Sequence, residues 1–150
     1  MPKSVKTNVE SDHFERAGRH LGYGIIDEQD AEAADFVGRS NVAMGKMLSA
    51  ELYRDQAVWF ALQGSRKNSG RLKTAKEVRS QTSTALFRMA GRHLLRAALF
   101  EEEALKLPEF RRETALGLKK RSLHHFEKAR ECSRRGNELY RTERIETEQS

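Results

Sequence analysis

A single cysteine, two prolines and the lack of any long apolar run set the first limits on this chain. Cys132 alone cannot close an internal disulfide, and so sparing a use of cysteine points to a reducing compartment, expected to be the cytoplasm. It also leaves no thiol set for a structural zinc. Pro2 and Pro108 are the only prolines, so no missing amide N–H interrupts helix between them. No stretch approaches the roughly 20 apolar residues of a membrane span. The polar start, Met1 to Asp12, carries no apolar run that could serve as a signal peptide, and no membrane is expected as a partner. Gly64-x5-Gly70-Arg71 has the wrong spacing for a phosphate loop and lacks a following Lys-Ser/Thr, and no cofactor is expected.

What the chain does have is charge on helical spacing. With 150 residues, 37% hydrophobic and 33% charged, it is long enough to bury one core beneath wide solvated faces. Four helical segments are predicted. The first opens with an Asp12-x-x-Glu15 capping box and stops at Gly22-Tyr23-Gly24; the second runs from about Asp27 to Gln63, with a break near Gly38 to Asn41. Residues Gly64 to Gly70 read as a loop, Thr74-x-x-Glu77 caps a third helix ending at Leu107, and Pro108 suits the first turn of a fourth that passes Tyr140. No stretch alternates as a strand does. The expectation is an all-α four-helix bundle of long helices spanning residues 12–145, with flexible ends at 1–11 and 146–150.

An internal repeat runs through this plan. Ala-Gly-Arg-His-Leu occurs at Ala17 to Leu21 and again at Ala90 to Leu94, each time with a phenylalanine three residues before the alanine, Phe14 and Phe87. At the same offset Glu28 meets Glu101 and Ala31 meets Ala104, which reads as two eroded helical units.

The apolar stripes nominate the core. Met44, Met47, Leu48, Leu52, Val58, Trp59 and Leu62 form one face of the second helix, and Leu86, Met89, Ala90, Leu94, Ala97 and Phe100 one of the third. The fourth thins after Ala129 to Ser133, Gly136 and Tyr140, so its second half is expected to be weakly anchored. Glu51 and Asp55 fall within the second helix's stripe and His93 within the third's. Buried carboxylates need a counter-charge, and a site in which Glu51, Asp55 and His93 hold a metal competes with a face rotated by one residue, or with pairing of the acids by Arg54, Arg88 or Arg92. One of these two is the expected outcome, and no metal site, because metal-binding bundles use repeated Glu-x-x-His motifs. His124 and His125, being adjacent, point to different helix faces.

Charge is uneven. Residues 1–65 carry 7 Lys+Arg and 10 Asp+Glu, and the remainder carry 21 and 12, so the second part is strongly basic. Arg66, Lys67, Arg71, Lys73, Lys76 and Arg79 are dense enough to track successive phosphates, which makes nucleic acid the expected partner and phosphate contact without catalysis the expected function. The same charge suits an adaptor that binds an acidic protein, or a homo-oligomer. A third reading starts from Arg88 and His93. Their Arg-x4-His spacing on a late helix of an all-helical domain resembles the motif of HEPN-type ribonucleases over six residues, although Met89 stands where that family usually has a polar residue. The resemblance implies an arginine and a histidine meeting at a dimer groove to cleave RNA.

Overall fold

The computed structural model describes the backbone of residues 2–67 and 82–149 and the side chains of 13–65 and 82–149. Four helices carry the chain: α1 Pro2–Phe36, α2 Ser40–Lys67, α3 Ser83–Lys106 and α4 Arg112–Gln149, with a short 3-10 turn at Glu109–Arg111 leading into α4. Among the described residues there is no strand. The fold is the expected all-α four-helix bundle.

α1 lies along α2, and α3 along α4. The two hairpins join through α1 and α3, while the backbones of α2 and α4 stay apart among the described residues. The shared core contains Phe14, Ala17, Leu21, Ala57, Ala61, Leu94, Leu95 and Ala129, which draws on all four helices.

The repeated pentapeptide sits at the crossing of α1 and α3. Gly18 lies against the backbone of Phe87, and Gly91 lies in return against the backbone of Phe14, so the helices are antiparallel here. A Cβ on either glycine would overlap main-chain atoms that cannot rotate aside. Each phenylalanine ring then seats on a glycine of its neighbouring outer helix, Phe14 on Gly64 of α2 and Phe87 on Gly136 of α4. The arginines follow the same exchange: Arg19 lies 4.8 Å from the Phe87 ring centroid, and Arg92 lies 5.8 Å from that of Phe14.

Several expectations are corrected. Gly22 and Gly24 do not stop α1; they lie inside it, where Gly22 faces Asn137 and Gly24 the Ala50 carbonyl, so close packing holds them helical. The break falls at Val37–Arg39, where Gly38 takes φ 79°, a conformation that costs glycine little. α3 opens at Thr82, whose hydroxyl accepts the Ala85 N–H at 3.2 Å; Thr74 and Glu77 lie outside the described residues. Pro108 precedes the 3-10 turn and is not in the first turn of α4.

α2 keeps only part of its expected face, with Val58 and Leu62 packed against the core. It buries Ala43, Ala50, Ala57 and Ala61, small residues that admit a close neighbour, and exposes Met44, Met47, Leu48, Leu52 and Trp59. The second half of α4 is firmly held rather than weakly anchored. Ser133 donates to the Gly18 carbonyl at 2.9 Å, Asn137 donates to that of Gly22 at 3.1 Å, and Glu143 accepts both the N–H and the hydroxyl of Ser83. Those last two bonds satisfy a helix-start donor and hold the Glu143 carboxyl below its usual range.

Candidate nucleic-acid interface

α3 carries Arg88, Arg92 and Arg96 at four-residue spacing, which places them along one strip of the helix. α4 runs antiparallel beside it and brings His124, His125 and Lys128 to the same seam. The register is fixed by two contacts. Ser122 donates to the Ala97 carbonyl at 2.6 Å, and His93 and His125 meet Nδ1 to Nδ1 at 3.1 Å. The two rings stack with centroids 5.3 Å apart and 24° between their planes, and Phe100 stacks on His125 at 5.7 Å.

Two nitrogens this close have room for one proton between them, with one ring donating to the other; a second proton there would replace that hydrogen bond by two opposed N–H groups. Burial pushes His93 down to about 4, helped by the positive charges of His125, Arg96, Lys128 and His124. Burial likewise lowers His125, with Arg96, His124 and Lys128 adding to it. Every charge acting on the pair is positive.

Several cations outside the seam meet carboxylates, while Arg39, Arg111, Arg112, Lys119, Lys120 and Arg141 form no ion pair among the described residues. Arg130 grips Glu28 with two hydrogen bonds of 3.1 and 2.6 Å, and Arg134 bridges Glu131 and Glu138. Arg19 pairs with Glu15, Lys46 with Asp27 and Asp30, and Arg144 with Glu148. Arg96, Arg121 and Lys128 form no ion pair with a carboxylate among the described residues. Among the described residues the seam is therefore a cationic strip without ion-paired carboxylates.

The sequence-nominated residues are scattered. Arg66 and Lys67 end α2 with side chains outside the described residues, and Arg71, Lys73, Lys76 and Arg79 lie outside them altogether. Glu51 and Asp55 are exposed on α2, where water solvates them, so the buried-carboxylate argument falls away. His93 faces α4 instead, and no group of three or more His, Cys, Asp or Glu able to hold a metal forms among the described residues. Arg88 lies more than a helical turn before His93, with a buried Nε that has no hydrogen-bond partner among the described residues. Cys132 is buried beside Met89 and Ala90, and burial pushes its thiol up, away from the reactive thiolate.

Sequence reasoning missed Arg96, Lys128 and His125 as neighbours of His93. The signal was a pairing of helix faces: in an antiparallel hairpin, residues one turn up α3 meet residues one turn down α4, and basic or imidazole side chains recur on both.

A cleft of about 830 Å³ opens between α2 and α4 over α3. Arg54, Asp55, Glu101 and Lys119 put both signs of charge on its walls, so it does not select anions. No helix among the described residues is long and apolar enough to cross a membrane.

No protein-family model, curated protein or solved structure matches this chain.

Proposed function

We propose that this protein is a non-catalytic helical bundle that holds nucleic acid by its phosphate backbone, using the α3–α4 seam together with the basic stretch from Arg66 to Arg79. The observation that carries this reading is the juxtaposition of Arg96 and Lys128 beside the His93–His125 pair, with no ion-paired carboxylate for either among the described residues. Unpaired cations on one face attract polyanions, and each phosphate they neutralise releases counterions and steepens the salt dependence of binding. The exchange of Gly18 and Gly91 across the α1–α3 crossing supports the companion view that the two hairpins are eroded copies of one unit.

The test is a salt titration of binding to a fluorescent single-stranded oligonucleotide. The double reversal Arg96→Glu, Lys128→Glu weakens binding and flattens the slope of log affinity against log salt by roughly 0.7 for each phosphate no longer neutralised. The triple reversal Arg66→Glu, Lys67→Glu, Arg71→Glu does the same independently. Affinity and slope unchanged in both variants would sink the proposal. An acidic protein surface would meet the same cations, and co-purification after nuclease treatment separates that case.

A second reading, self-association, is favoured by the uncovered apolar stripe of α2. Met44, Leu48, Leu52 and Trp59 recur at helical spacing on the face turned away from the core. A second copy of α2 offers a matching stripe, and an isologous pairing would cover both. Sedimentation at increasing concentration tests this, with Leu48→Gln, Leu52→Gln expected to remain monomeric if the stripe is the interface.

A further inference from the structure

Resting on that nucleic-acid reading, we infer that the His93–His125 pair is a proton-carrying ligand for a phosphodiester group, so that binding at the α3–α4 seam takes up a proton from solvent. The geometry supplies the reason. The Nδ1 atoms lie 3.1 Å apart, a distance at which one ring can donate to the other and only one proton fits between the facing nitrogens. A second proton there meets the first, together with Arg96, His124 and Lys128, which act on the pair from α3 and α4 with no acid among them. The seam is thus short of negative charge at the place where two proton acceptors face each other.

A phosphodiester supplies that charge. Its non-bridging oxygens can accept hydrogen bonds from an imidazolium as well as from Arg96 and Lys128, and its negative charge offsets the repulsion that kept the second proton away. A transition metal is the poorer occupant, because Arg96 and Lys128 oppose a cation as strongly as they favour an anion. Phe100, stacked on His125, limits that ring to one orientation.

The linkage has a definite sign. Binding raises the proton affinity of the pair, so affinity strengthens as pH falls through the bound-state value and levels off below the free-state value of about 4 for His93. If binding restores His93 to its ordinary value, affinity at pH 5.5 exceeds that at pH 8 by about tenfold.

The probe is an oligothymidylate, whose bases and phosphodiesters do not titrate over this range. Its affinity for the full chain is measured at pH 5.5 and pH 8 at fixed salt, and the ratio of the two is read rather than either value. The wild type gives a ratio of about ten. His93→Gln, His125→Gln together bring it close to one, whereas His20→Gln, in the aromatic nest of α1 and α2, leaves it high. In parallel, the imidazole Cε1–H resonance of His93 in the wild-type protein titrates at a higher pH with oligonucleotide than without. A wild-type ratio near one, a double variant that keeps the wild-type ratio, or an unmoved His93 midpoint overturns this inference while leaving phosphate binding intact. No binding at either pH, even at low salt, overturns both.

Discussion

Gly18 and Gly91 occupy equivalent positions on the two inner helices, each pressed against the main chain of the phenylalanine that precedes the other by four residues. Neither neighbour can yield as a flexible side chain would. Gly18→Ala and Gly91→Ala should each cost on the order of 2–4 kcal/mol by chemical denaturation, since the helices must separate to admit a methyl group. Gly45 and Gly117 give the contrast. Both lie within helices with open space where a Cβ would go, and alanine there should add about 0.5–1 kcal/mol through helix propensity. Equal responses from the two pairs would rule out a glycine-dependent crossing.

The two faces of α2 should respond in opposite ways to substitution. Ala57 is fully buried, and Ala57→Leu overpacks the core, costing about 1–3 kcal/mol. Leu48 and Leu52 are 58% and 64% exposed, so Leu48→Gln and Leu52→Gln should stay within about 0.5 kcal/mol of wild type in the monomer. Thermal melts of the three variants at low protein concentration decide the matter.

Stability should fall as the solution is acidified from pH 7 toward 4, before carboxylate protonation dominates. Burial and neighbouring cations hold folded His93 down to about 4, whereas the unfolded chain binds that proton near 6.5. Between those values the unfolded state carries more protons, so acid favours unfolding; below the lower value this contribution is spent. With screening of a half-buried ring, the loss is on the order of 2 kcal/mol. Urea titrations at pH 7, 6 and 5 should show it in the wild type and much less of it in His93→Gln.

Glu28 and Arg130 tie α1 to α4 with a two-bond grip, at side-chain exposures of 21% and 33%. A double-mutant cycle to alanine should give a coupling of about 1–2 kcal/mol. The pair Arg134 and Glu138 lies one turn apart on the surface of α4, where solvent screens it, and should give a smaller coupling. A coupling for Glu28 and Arg130 no larger than the surface pair's would remove them as a link between the hairpins.

The all-α class, the helix breaks near Gly38 and Pro108 and the importance of the repeated pentapeptide were all legible along the chain. Each follows from local chemistry: helical spacing of apolar residues, a glycine able to take positive φ, and a proline without an N–H. Which side of a helix faces inward was not legible. Large apolar residues on α2 promised a core face, yet α1 approaches so closely at Gly24 and Ala50 that only the alanine stripe fits between the backbones. Gly22 read as a helix stop for the same reason: a glycine that relieves crowding from another helix looks, along the chain, like one that ends its own. The histidine pair was hidden in a different way. His93 and His125 are 32 residues apart, and only the register of α3 against α4 brings their Nδ1 atoms together among like charges.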